Sequence, residues 1–185
     1  DKERTMLINS IGHKWEFTFT TLVTFGGAMS AAFPLFYATS FSGAYWVWMI
    51  ILFCFVIQAV AYEYRKKPGN FLGQRTYEIF LIINGSLGVI LLGAAVATFF
   101  TGSQFSIDEL RHSEWKNSLH GIEAAFNPEN LLLGLSVFFL ARILALLYFI
   151  SNISDENIYN RVKKQLIINA LPFLLVFLSF VTILL

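Results

Sequence analysis

Residues 15–65 read WEFTFTTLVTFGGAMSAAFPLFYATSFSGAYWVWMIILFCFVIQAVAYEYR. Between Glu16 and Glu63 there are 46 consecutive residues without a charge. As one helix rising about 1.5 Å per residue they would extend roughly 70 Å, against a hydrocarbon core of about 30 Å. Two helices with a break near residues 40–43 fit that thickness. A soluble domain of this size could not bury so long an apolar run against itself. The stretch therefore reads as a transmembrane hairpin with an acid at each outer end.

The rest of the chain agrees. Of its 185 residues, 56% are hydrophobic and only 14% charged, and mean hydropathy is +0.63. Soluble domains carry closer to a quarter charged residues. The expected fold class is an all-α integral membrane protein, a helical bundle of about five transmembrane helices at about 15–41, 44–64, 76–101, 131–150 and 165–185. Residues 1–185 read as a single transmembrane domain. Pro34 should bend the first span by removing a backbone hydrogen bond. Residues 65–74 form a basic loop with a Pro-Gly turn, and Asn127-Pro128-Glu129 has the form of a helix start. Residues 102–129 and 151–164 read as polar connections. A net charge of +1 gives no footprint for nucleic acid. The single Cys54 excludes an intrachain disulfide and a thiolate metal site, and reads as a small apolar filler.

Lys and Arg placement sets the orientation. With five spans, ten of the thirteen cations fall in the N-terminal segment, the 65–75 loop and the 151–164 loop. The opposite side holds Arg111 and Lys116. The ten-cation side is expected to be cytoplasmic, in a multi-pass protein of a prokaryotic cytoplasmic (inner) membrane.

Few residues suggest chemistry. Glu16 follows Trp15 at the cytoplasmic end of the first span, with Thr18, Thr20, Thr21 and Thr24 one to two turns deeper. An acid there suits the helix dipole. It could also open a proton path, with a carboxylate at the mouth and hydroxyls inward. Glu63 ends the hairpin on the same side beside Arg65, and the two read as an interfacial ion pair. Arg142 sits near the middle of the fourth span, where a charge costs roughly 2.5–3.5 kcal/mol on insertion scales. It should have a polar partner: Glu16 or Glu63 reached through a bend, a cofactor carboxylate, or a residue of another subunit. Gly26, Gly27, Ala28, Ser30, Ala31 and Ala32, and Gly85, Gly88, Gly93 and Ala97, are small residues of the kind that let membrane helices approach closely. They imply packing partners within the chain or in another subunit. His13 is interfacial, and His112 and His120 lie in the external loop with Glu114 and Glu123. The reading assigns no metal there, and no His falls inside a span to ligate a haem.

The runs Ile8-Asn9-Ser10-Ile11-Gly12, Trp15-Glu16, Gly26-Gly27-Ala28, Ala32-Phe33-Pro34, Tyr37-Ala38-Thr39, Phe41-Ser42-Gly43 and Val60-Ala61-Tyr62-Glu63-Tyr64-Arg65 together resemble subunit II of cytochrome bd-type quinol oxidases. The likeness is close over about residues 8–65. Beyond that it rests on hydropathy and order. It implies a respiratory oxidase that oxidises quinol and reduces oxygen to water. Haem b and haem d would belong to subunit I, and none would be bound by this chain alone. Subunit II would stabilise subunit I, making a hetero-oligomer in membrane lipid, and help deliver cytoplasmic protons. Trp15 and Glu16 match the Trp-acid pair linked in the family to proton delivery, with Thr20 one turn further. The family commonly has Asp at the Glu16 position, followed by Gly-Asn-Glu-Val-Trp; here Phe17, Thr18, Phe19, Thr20 and Thr21 follow. The family also has helices before and after this region, so the chain is expected to be an internal part of a longer subunit. The alternative reading is a small-solute transporter or channel subunit. It would need internal repeats, and none stands out.

Overall fold

The computed structural model describes residues 2–12, 14–109 and 112–185. Asp1, His13, Leu110 and Arg111 lie outside the described residues, and with them the readings of His13 as interfacial and Arg111 as an external cation. Helix α1 (Lys2–Gly12) precedes α2 (Trp15–Ala32) and the short α3 (Pro34–Tyr37), which runs into a π-helical turn, Ala38–Gly43. Helix α4 (Tyr45–Tyr64) descends to the 65–73 loop. Helices α5 (Gln74–Ile83) and α6 (Val89–Thr101) are joined without interruption by a second π-helical turn, Asn84–Gly88. A hairpin of β1 (Phe105–Ile107) and β2 (Ser113–Trp115) and one turn of helix, α7 (Ile122–Ala125), lead to α8 (Pro128–Asn152) and α9 (Glu156–Leu184).

The molecule is an all-α multi-pass membrane protein. Among the described residues four helices are long and apolar enough to cross a membrane: Tyr45–Tyr64, Gln74–Thr101, Pro128–Asn152 and Glu156–Leu184. The first of the about five spans read from the sequence is divided. Phe33 leaves helical geometry at φ −135°, ψ 68°, and Pro34 opens α3 where its missing N–H costs nothing. The hairpin turn follows in the π-helical stretch, and Phe41 stacks on Trp48 of α4 with ring centroids 4.2 Å apart.

Helix α8 is the centre of the bundle, packed along α6 on one side and α9 on the other. Glycine decides the α6–α8 approach. A Cβ on Gly93 would stand 2.8 Å from the Cα of Gly134, and a Cβ on Gly134 would stand 2.6 Å from the carbonyl oxygen of Ile90. Ala94 and Ala97 are buried in the same seam. At one end of it the Thr101 hydroxyl donates to Asn130 Oδ1 at 2.7 Å, while Asn130 Nδ2 donates to the Ala124 carbonyl at 2.8 Å. Cys54 is buried, its Cβ against Gly88 of the second π-helical turn.

Two connections have more structure than their polarity suggests. Residues 102–129 contain the antiparallel hairpin, with Phe105 opposite Trp115 and Ile107 opposite Ser113. Residues 156–164 are helical and continue into the apolar body of α9. Asp155 caps them by accepting from the Ile158 N–H at 3.0 Å, and Ile158 and Val162, one turn apart, bury one face. Asn127 caps α8 in the same manner, accepting from the Glu129 N–H at 3.1 Å ahead of Pro128.

Candidate functional site

The polar residues gather at one end of the bundle. Helix α1 lies across it. Arg4 donates to Glu78 of α5 at 2.7 Å, Arg161 of α9 donates to Glu3 at 2.8 Å, and the Tyr148 hydroxyl of α8 donates to the Ser10 carbonyl at 2.9 Å. The N-terminal segment, the 65–73 loop and the start of α9 thus share one face of the molecule, the grouping used to assign orientation from Lys and Arg.

The centre of this end is Arg65, not the pair read from the sequence. Arg65 follows the last residue of α4, and its side chain is only 3% exposed. Its Nη2 and Nε donate to Glu78 Oε1 at 2.8 and 3.2 Å, and Gln74 adds a third donor to the same carboxylate oxygen at 3.1 Å. Glu63 is instead half exposed and pairs with Lys67 at 3.7 Å, four residues on. The expected Glu63–Arg65 pair is therefore corrected. Residues two apart at a helix end point to different sides, whereas Glu63 and Lys67 share one. Glu78 escaped the sequence reading. Its one signal was position: it is the sole acid of the α5–α6 rod, within a turn or two of the basic loop.

Arg142 lies mid-way along α8 with its guanidinium on an exposed face. Nε donates to Asn169 Oδ1 of α9 at 2.7 Å, and the guanidinium carbon lies 5.6 Å from the centroid of Phe138. Asn169 is buried and its amide donates to the Gln165 carbonyl at 2.6 Å. Neither Glu16 nor Glu63 pairs with Arg142 among the described residues. Asn169 was not singled out by sequence, although a carboxamide within an apolar span was the available signal.

Glu16 occupies the first turn of α2 and is exposed, with Trp15 half-buried beside it. Thr20 and Thr24 follow at four-residue steps on the same line of the helix. Phe17, Thr20, Thr21, Thr24, Phe25 and Ala28 line an open groove of about 370 Å³. The Thr21 hydroxyl is returned to its own helix, donating to the Phe17 carbonyl at 2.7 Å. The two glycines of α2 have open space around them. A Cβ at Gly26 or Gly27 would find no atom within 4 Å, in contrast to Gly93 and Gly134. At the opposite end of the bundle an apolar cavity of about 380 Å³ lies between the hairpin and α3, α4 and α6, walled by Trp48, Phe99 and Trp115 among others.

The described residues contain no group of three His, Cys, Asp or Glu able to hold a metal ion. Met29 lies in α2 and Met49 in α4.

Comparison with known proteins adds the following. The family model for Cytochrome bd terminal oxidase subunit II matches residues 1–185. A probable cytochrome oxidase subunit 2 from Haemophilus influenzae is 31% identical over 132 residues, covering 71% of this chain and 34% of that protein. Cytochrome bd-I ubiquinol oxidase subunit 2 from Escherichia coli K12 is 29% identical over 134 residues, covering 72% of this chain and 35% of its own length. Cytochrome bd ubiquinol oxidase subunit 2 from Bacillus subtilis is 32% identical over 111 residues, covering 60% and 33% respectively. The chain thus spans about a third of the length of the curated relatives it matches.

Proposed function

The chain belongs to the cytochrome bd terminal oxidase subunit II family, and from that membership we propose that it is part of a haem-free subunit of a respiratory quinol:oxygen oxidoreductase. Its tasks are to support a haem-bearing subunit I in a prokaryotic cytoplasmic membrane and to help bring cytoplasmic protons toward the site of oxygen reduction. Haem b and haem d sit in that partner and supply the redox chemistry, and quinol is a substrate of the whole complex. This chain's own residues hold helices in place and move protons.

One observation carries the reading: the open face of α2. Gly88, Gly93 and Gly134 are closed against neighbours, whereas Gly26 and Gly27, adjacent in sequence, both face empty space beside a groove of threonines. A membrane helix with small residues on a bare face is built for close approach by another helix. A partner laid against it would enclose Glu16, Thr20 and Thr24. An exposed helix-end carboxylate would become the mouth of a narrow polar path. Glu16 exchanges a proton with the cytoplasm, and the Thr20 and Thr24 hydroxyls, with water, continue the line inward.

The test uses the full-length subunit in its native complex. It should co-purify with a partner showing reduced haem d and haem b bands. Glu16→Gln removes the titratable group and keeps the shape. Oxygen consumption with quinol should fall about a hundredfold, the lower end for loss of one positioned proton-transfer group, while haem content and subunit ratio stay at the parent level. Unchanged turnover reduces Glu16 to a helix-end charge, and purification without a haem protein removes the oxidase reading.

A further inference from the structure

The α1–α5 end carries a second feature that proton delivery does not use. Between α1 and the junction of α4 and α5 lies a polar groove of about 860 Å³, lined by Lys2, Arg4, Lys66, Gln74, Arg75 and Glu78. It has four cations and one carboxylate, and that carboxylate is already occupied by Arg4, Arg65 and Gln74. Lys2, Lys66 and Arg75 have no ion-pair partner among the described residues. The groove is therefore an anion site in excess of its own counter-charge. It is also assembled from separate parts of the chain. Arg4 on α1 and Arg65 after α4 are both tied to Glu78 on α5, so the cations are held around a shaped space. A tail of lysines that only sets topology would need no such space.

The groove's surroundings decide which anion. It sits where two apolar helices, Tyr45–Tyr64 and Gln74–Thr101, reach the end of their membrane length. That is the depth of lipid headgroups. The loop joining them exposes Phe71 almost fully and Leu72 by about half, side chains that water disfavours and an acyl boundary accepts. Tyr64, also half exposed, stands at the same level with the Lys67 ammonium 4.5 Å from its ring centroid. Basic pockets at the cytoplasmic ends of membrane helices match the phosphate of anionic headgroups, and adjoining aromatic side chains match the interface.

We propose that this groove binds the phosphate-bearing headgroup of an anionic phospholipid, with Lys66 and Arg75 as its principal contacts and Lys2 and Arg4 closing it from α1. The bound lipid fastens α1 to the α4–α5 end. The proposal is independent of the redox reading.

The test is native mass spectrometry of the full-length protein in its native assembly, released from nanodiscs of equal phosphatidylglycerol and phosphatidylcholine. The parent should retain phosphatidylglycerol in preference to phosphatidylcholine. Lys66→Gln with Arg75→Gln should weaken that retention about thirtyfold, the effect of two surface cations at a lipid headgroup. Lys66→Arg with Arg75→Lys should restore it. Lys163→Gln with Lys164→Gln removes the same charge from the same side away from the groove and should leave retention at the parent value. Equal losses in the two neutralised variants mean a diffuse surface attraction and overturn the site. Displacement of phosphatidylglycerol by millimolar inorganic phosphate assigns the groove to a soluble anion and overturns the lipid.

Discussion

At the residue scale the arrangement around Glu78 shows how charge is accommodated where a membrane helix meets water. The Arg65 guanidinium is nearly inaccessible, so its cost of leaving water has to be met by more than one contact. It makes two hydrogen bonds to one carboxylate, which also receives Arg4 and Gln74. Arg65→Gln leaves that carboxylate without its buried cation and should cost roughly 3 kcal/mol. Arg65→Leu combined with Glu78→Leu should cost clearly less than either single change, because no buried charge is left alone. Glu63→Gln should lower stability by no more than about 0.5 kcal/mol, since its partner Lys67 is exposed and 3.7 Å away. Thermal unfolding of the purified protein in one detergent, with these variants and the single Arg65→Leu and Glu78→Leu changes side by side, reads all of this. Arg142 follows the same logic with less support. Asn169 supplies one neutral acceptor, and Arg142 is otherwise exposed on α8. Such an orientation suits a partner helix with an acceptor of its own.

At the scale of elements, two sets of small residues separate by what they touch. On α6 and α8 they bring backbones together: a single added carbon at Gly93 or Gly134 meets backbone atoms that cannot move aside. Gly93→Val should therefore destabilise the chain itself by about 1–3 kcal/mol, seen as a lower unfolding temperature of the purified protein. On α2 the equivalent positions are vacant. Gly26→Leu should leave that temperature unchanged and instead reduce the amount of partner subunit recovered with the protein. If Gly26→Leu affects neither, α2 faces lipid, and the docking role assigned to it fails. The two π-helical turns belong to the same scale. Ala38–Gly43 ends the first apolar segment and Asn84–Gly88 lies within the second rod, with the buried Asn84 carboxamide oxygen 3.2 Å from where a Gly88 Cβ would be. Such irregular turns survive in membrane helices only where neighbouring protein satisfies the backbone.

At the scale of the whole molecule the distribution of cations and the tertiary ties give one arrangement: α1, the 65–73 loop and the start of α9 at one end, the hairpin and α7 at the other. The cation-rich end should face the cytoplasm. Cysteine placed at Asn117 should react with a membrane-impermeant maleimide in intact cells, and cysteine placed at Lys164 only after permeabilisation; the reverse pattern would invert the topology. Native Cys54 is buried and should contribute no background. The helical membrane class, the hairpin turn near residues 40–43, the start of α8 at Pro128 and the gathering of the cation-rich segments at one end were all legible in sequence, because each depends on composition or on neighbours a few residues apart. Hydrocarbon thickness, proline, capping side chains and Lys or Arg counts act locally, and the order of residues carries them in full. The partners of Arg65 and Arg142, the closeness of Gly93 to Gly134 and the bareness of Gly26 were not legible. Each depends on how one helix is rotated and set against another dozens of residues away. Many rotations satisfy the same apolar periodicity in lipid, where every face of a helix can be greasy, so only the packed bundle selects one.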